Sequence, residues 1–309
     1  MSLDLNSIAD YIKENEAQLA AAAIFSAKTA SLIEAQGNVQ VGIKSSEQIN
    51  ILTTDAFLQT GGNCGFNPIG FTQFTQRELE VGKIKVNESI CPKAFEAKYT
   101  QKALKEGSTY DYMAYATEYS EQKGKRIGAA LEVGIWQGDR MAMDSQLSKF
   151  DGLLKIATQA GYVNGNISNL GNLTTANVIQ AVDETYQSIP VALLDKDNVF
   201  IACGADTFRK YVVALRDSNL YHYPVDGVNM ELVIPATNIK LIGLNGLNGT
   251  GKLFASHWSN IYLGCDMLNE QDRFELFYAK EADEMRFVSE FKLGVQIAFP
   301  QEVVLWIAD

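Results

Sequence analysis

The segment from about Val41 to Cys91 constrains this chain more than any other. Val39, Val41 and Ile43 alternate with polar residues, as do Ile49 and Ile51, and on the far side Leu79 and Val81 alternate, then Ile84 and Val86. Such period-two patterning marks strands with one apolar face. Between the runs, Gly61-Gly62-Asn63-Cys64-Gly65-Phe66-Asn67-Pro68-Ile69-Gly70 is rich in turn-forming residues. Residues 39–91 therefore predict a long hairpin with a glycine-rich tip at Gly61, Gly62, Gly65 and Gly70. The apolar faces are thin, and an isolated two-stranded hairpin is marginal at best in water. The ribbon must find its burial either on its parent domain or on another chain.

Around it the periodicity changes. Leu5, Ile8, Ala9 and Ile12 fall at helical spacing, with Asn6 or Ser7 as possible caps, and the apolar face continues through Leu19, Ala23 and Ile24 to a stop at Gly37. One helix over 2–35 is expected, packed on its own domain or reaching out as an arm. Ala94 to Leu104 and Asp111 to Gln137 read as helices. The second carries Ile127, Leu131 and Ile135 at four-residue steps and ends at Gly138, a natural C′ residue. Residues 150–255 alternate between helix (Thr175 to Ser188, Asp206 to Asp217) and strand (Asn198 to Cys203, Leu232 to Ile234, Ile239 to Ile242), an α/β or α+β body. The last fifty residues read mainly as strands: Ile261 to Leu263, Phe274 to Tyr278, Arg286 to Leu293, Gln296 to Phe299 and Val303 to Ile307.

Composition excludes several function classes. The 309 residues are 47% hydrophobic and 20% charged, enough for a sizeable core. Net charge is −11, and the densest basic stretch is only Lys123-Gly124-Lys125-Arg126. Gripping phosphates needs clustered cations, so direct nucleic-acid recognition is not expected. Enclosing nucleic acid is compatible with an acidic wall, which repels it. Cys64, Cys91, Cys203 and Cys265 form no CxxC and, with His222 and His257 far apart, no zinc spacing; reduced thiols are expected. The apolar run at Leu19–Phe25 follows Asp10, Glu14 and Glu16 where a signal peptide needs basic residues, and no run approaches the length of a membrane span. A soluble protein made in a cytoplasm is the expectation.

Candidate motifs dissolve on inspection. Gly246-Leu247-Asn248-Gly249-Thr250-Gly251-Lys252-Leu253 nearly matches a phosphate-binding loop. Leu253 stands where a hydroxyl must meet Mg²⁺, and strand-like sequence follows where a helix must begin. A turn between two strands is expected. No G-x-S-x-G elbow accompanies His222 or His257, and Asp195-Lys196-Asp197-Asn198 lacks the glycine and distal Glu of a calcium loop. No catalytic residue, cofactor or metal is expected. Tyr110, Tyr112, Tyr115 and Tyr119 crowd one stretch and fit a core or a subunit contact.

The order of elements carries a resemblance: helical arm, glycine-tipped hairpin, long helix, α/β body, returning strands. Locally, Ala129 to Asp139 followed by Phe150-Asp151-Gly152-Leu153-Leu154 looks like the exit of a spine helix at Gly-Asp into a "DGL" segment. Arg286-Phe287 through Phe291-Lys292-Leu293-Gly294-Val295-Gln296-Ile297-Ala298-Phe299-Pro300 looks like a returning strand with a "GVQ…P" ending. The chain thus resembles the Hong Kong 97-type major capsid proteins of tailed bacteriophages over nearly its whole length. What the resemblance implies is an α+β, Hong Kong 97-like capsid fold. Its parts would be an N-terminal arm (1–38), an extended loop (39–92), a peripheral domain with a spine helix (93–140 and 266–295) and an axial domain (141–265 and 296–309).

The implied function is self-assembly into pentamers and hexamers of an icosahedral shell around double-stranded DNA, with no enzymatic activity. The extended loop would lie on the adjacent subunit, and the axial domain, with its tip at Ser218 to Val228, would gather at the five-fold and six-fold centres. The implied assembly contacts are Gly61, Gly62, Phe66, Pro68, Phe71 and Phe74 at the loop, and Ser218, Tyr221 and Tyr223 at the axial tip. Partners would be the chain itself, a separate scaffold, a portal and decoration proteins. The place would be the virion capsid, assembled in a host bacterial cytoplasm, with no membrane and no covalent cross-linking. Three other readings stand beside it: an encapsulin-like compartment shell holding protein cargo, a nucleotide hydrolase using Gly246 to Lys252, and a monomeric binding module.

Overall fold

A computed structural model describes residues 16–59, 68–90, 112–159, 167–168, 170–218, 230–266, 273–279, 281–282 and 284–308. The expected helix at Ala94 to Leu104 and the tip stretch Ser218 to Val228, apart from Ser218, lie outside them.

The expected single N-terminal helix is two: α1 (Glu16–Phe25) and α2 (Lys28–Glu34). The break sits where the chain crosses the long helix α3 (Tyr112–Gln137). Ser26 Oγ donates to Ala23 O (2.7 Å) and Gly124 O (3.3 Å). A Cβ on Gly128 would stand 1.8 Å from Ser26 Oγ and 2.9 Å from Ala23 O. Gly128 thus admits the arm at backbone distance. Beyond the crossing, Glu132 on α3 caps α2 from outside. Thr29 donates its N–H to Oε2 (2.9 Å) and its hydroxyl to Oε1 (2.6 Å), and Trp136 Nε1 donates to Thr29 Oγ1 (2.8 Å). Ala27, at the N-cap, supplies no side-chain bond of its own, so Glu132 takes over a role usually filled locally. Ala23, Ile24, Ala27, Ala30 and Ile33 are buried with Ile127, Leu131 and Ile135 of α3. From residue 21 onward the arm packs on its own body.

One sheet is built on β12 (Glu284–Ile297), a single strand where two were expected. It is flanked by β11 (Arg273–Ala279) and β4 (Gly82–Ile90), then by β10 (Ile261–Cys265), with β1 (Val39–Val41) parallel on β10. A second sheet has the order β5-β13-β9-β6-β8-β7, using Ile167–Ser168, Val304–Ala308, Leu253–His257, Val199–Gly204, Lys240–Leu244 and Glu231–Val233. Helices α5 (Val178–Ser188) and α7 (Ala205–Asp217) pack on it through Val178, Ala181, Val182, Phe208, Tyr211 and Leu215. The remaining helices are α4 (Leu153–Thr158) and the short α6 (Val191–Leu194).

The two sheets share one two-stranded ribbon, which bends where β9 passes into β10 and β12 into β13. Asn260, fully buried, holds the bend: its Oδ1 accepts from Phe299 N (2.6 Å) and its Nδ2 donates to Phe299 O (2.9 Å). Beside it, Glu302 bonds His257 Nε2 (2.7 Å) and Lys196 Nζ (2.7 Å). Burial pulls the Glu302 carboxyl up, but the bonds from Lys196 and His257 outweigh it and hold it below its ordinary range.

Candidate assembly interface

The hairpin is shorter than the alternation suggested. Only β2 (Ser46–Thr54) and β3 (Thr72–Glu80) pair with each other, in a register running from Ser46↔Glu80 to Thr54↔Thr72. The flanking runs leave it for the body sheet, β1 to β10 and β4 to β12. A Cβ on Gly82 would meet Lys149 O at 2.0 Å, so the ribbon enters the body by close backbone approach.

Its root is well anchored. Ile43, Ile49, Ile51, Leu79 and Val81 form a small separate core with Ala298, Tyr262 and Phe299. Gln296 Nε2 donates to Glu78 O (2.6 Å), Arg77 Nη2 donates to Gln296 Oε1 (3.4 Å), and Arg140, just past α3, is ion-paired with Glu80. Beneath the root lies a polar cleft of about 380 Å³ lined by Arg77, Glu80, Arg140, Asp151 and Gln296 among others.

Beyond the root the faces are bare. Leu52 and Phe74 are cross-strand partners on one face and are both exposed, 54% and 76%. Their neighbours on that face pair as polar couples, Gln76 Nε2 to Asn50 Oδ1 at 2.8 Å and the hydroxyls of Thr54 and Thr72 at 3.2 Å. Towards the tip, Phe57, Leu58, Ile69 and Phe71 are also exposed, Leu58 at 94%. Soluble monomers rarely carry so large a run of uncovered apolar side chains without a use for it.

The candidate contacts divide accordingly. Pro68, Phe71 and Phe74 are exposed on the hairpin and Ser218 is exposed at the end of α7. Gly61, Gly62, Phe66, Tyr221 and Tyr223 lie outside the described residues. Leu52, Phe57, Leu58 and Ile69 belong to the same patch and were not singled out from sequence. Setting the register would have found Leu52, because it places that residue opposite Phe74.

The glycine-rich loop after β8 makes a short 3₁₀ turn (Asn245–Leu247) and runs into strand β9. Asn248 Oδ1 accepts from Ala205 N (2.7 Å), so the N-terminus of α7 is capped by a side chain of this loop. His257 is 5% exposed and engaged with Glu302 and Ser259 at the ribbon's bend. Cys203 is buried, and burial pushes its thiol far up, away from the reactive range.

No protein-family model matches the sequence, and no curated protein does. Solved structures do. A chain of the satellite phage P4 procapsid that includes the size-determination (Sid) protein superposes with a TM-score of 0.61 at 11% identity, covering 94% of this chain and 90% of that one. A chain of Gordonia phage Cozz superposes at 0.57 and 12% identity, over 90% and 86% of the two chains. One from the capsid of an empty GTA particle does so at 0.57 and 9%, over 90% of each. The chain has the Hong Kong 97-type capsid fold. At these identities the likeness is one of backbone architecture, and it extends over at least 90% of this chain in each case. Within the Hong Kong 97-type fold, α3 is the long helix against which the arm and the ribbon pack, and Arg140, just past its end, pairs with Glu80 at the hairpin root.

Proposed function

We propose that this protein is a major capsid protein of the tailed-phage type, which self-assembles into pentamers and hexamers of an icosahedral shell around double-stranded DNA and acts as a structural component without catalysis. The carrying observation is the hairpin: anchored at its root by a core of its own, it leaves Leu52, Leu58, Phe71 and Phe74 mostly exposed among the described residues. A ribbon of that kind gains its burial on a neighbouring copy. The shared architecture with phage capsid structures supports the same reading.

In this reading residues 1–38 are the arm, 39–92 the extended loop, 93–140 with 266–295 the peripheral domain, and 141–265 with 296–309 the axial domain. Ser218, Tyr221 and Tyr223 then face the five-fold and six-fold centres. The net charge of −11 fits a wall that contains DNA without gripping it. A separate scaffold, a portal and decoration proteins would complete the particle in a bacterial cytoplasm.

Negative-stain microscopy of the purified protein tests the proposal. Closed particles containing DNA are expected, and deleting 58–70 is expected to leave a soluble subunit that forms none. Normal shells from that deletion, or persistent monomers from the intact chain, refute the role given to the hairpin. Particles filled with a protein cargo instead of DNA would move the assignment to an encapsulin-like compartment. Lys252→Ala is expected to change nothing in nucleotide binding, because the loop that carries it caps α7 through Asn248.

A further inference from the structure

Among the described residues, two of the most exposed large apolar side chains sit far from the hairpin's tip, at its root: Met141, 88% exposed, and Met143, 105%. Their exposure does not come from a loose loop. Asp139 Oδ1 accepts from Met141 N (2.8 Å) and from Lys155 Nζ (2.5 Å), Asp139 N donates to Leu147 O (2.9 Å), and Asp144 Oδ1 accepts from Gln146 N (2.8 Å). Arg140, between Asp139 and Met141, is ion-paired with Glu80. The loop is pinned to the body at several points while its methionines point to solvent.

We propose that the apolar end of the hairpin docks onto Met141 and Met143 of a second copy of this chain. The inference rests on the reading of the hairpin as an intersubunit contact and names the surface that receives it. β3 runs for nine residues from Thr72 near the tip to Glu80 at the root, roughly 25–30 Å at the rise of an extended strand. The hairpin's own tip therefore stands that far from its own methionines. One copy carries both halves of an apolar match at opposite ends of one element and can join them only with another copy. That is a heterologous, head-to-tail contact, which closes into rings when the rotation between copies allows.

The chemistry suits the pair. Phe57, Phe71 and Phe74, each mostly exposed, offer on the order of 400 Å² of aromatic surface, about half of the ~800 Å² per partner that a stable contact needs. Thioethers pack well against aromatic rings, and methionine adapts to rings presented at different angles. A contact that recurs at five-fold and six-fold positions needs that tolerance.

The test combines cross-linking with assembly. In a chain whose Cys64 and Cys91 are replaced by serine, Leu58→Cys with Met143→Cys is expected to yield a ladder of covalent oligomers when assembled particles meet a short bis-maleimide. Either single variant is expected to yield none. Met141→Ser with Met143→Ser is expected to keep the subunit's melting temperature and to lower particle yield about tenfold or more. Particles that form at normal yield from the double serine variant, with no ladder from the cysteine pair, overturn this docking surface while the deletion of 58–70 still abolishes shells. Shells that survive that deletion refute the intersubunit hairpin itself, and this inference falls with it.

Discussion

Two glycines on one helix have opposite consequences. A Cβ on Gly124 would lie 3.7 Å from Ala23 Cβ, ordinary contact, whereas one on Gly128 would collide with Ser26 and the Ala23 carbonyl. Alanine is the better helix former by about 1 kcal/mol, so Gly124→Ala is expected to raise the urea midpoint. Gly128→Ala is expected to lower it, by roughly 1–3 kcal/mol of overpacking, with the m-value unchanged in both. Glu132 makes a pH prediction. Burial pushes its carboxyl above the ordinary value of 4.5, against the bonds from Thr29. A raised carboxyl means that the folded state binds a proton more readily than the unfolded one. The contribution is therefore full below 4.5 and is lost as pH rises through the higher folded value. Glu132→Gln is expected to flatten that slope in unfolding midpoints measured from pH 4 to 8, and an unchanged slope would place the proton elsewhere.

At the scale of elements, the hairpin separates stability from association. Leu52→Ser with Phe74→Ser alters exposed residues only, so unfolding midpoints are expected to move by no more than about 0.5 kcal/mol, while sedimentation shows loss of particles. Much of this organisation was legible in the sequence. The alternation of 46–54 and 72–80, the amphipathic face of α7 through Phe208, Tyr211 and Leu215, and the strand after the glycine-rich loop all follow from local pattern. What was not legible depends on distant partners. Val39–Val41 and Gly82–Ile90 carry the same alternation as the hairpin, yet they pair with β10 and β12, more than a hundred residues on. The arm crosses α3 closely at Ser26 because Gly128, about a hundred residues away, carries no Cβ, and Gly138, expected as the helix's C′ residue, also lets Gly152 approach, with Gly152 N donating to Gly138 O at 2.8 Å. Within the candidate interface, Leu52 was not singled out from sequence, and only the register sets it opposite Phe74.

For the molecule as a whole, charge opposes association. Copies carrying −11 each repel one another at low ionic strength, where screening reaches about 30 Å, and far less near physiological salt, where it falls to roughly 8 Å. Light scattering is therefore expected to begin at a lower protein concentration as salt is raised across that range, and an onset that moves the other way would mean that ion pairs, not apolar burial, drive assembly. The anchored root has a mechanical meaning in this setting. With one end clamped by Ile43, Ile49 and Leu79 and the other about 25–30 Å away, the ribbon works as a lever: a turn of about ten degrees at the clamp carries Phe71 and Leu58 through roughly 4–5 Å. The polar cleft lined by Arg77 and Arg140 lies where such a turn would begin, so in the proposed shell a small tilt there would set how sharply the next copy leans, and with it the curvature of whatever the copies enclose.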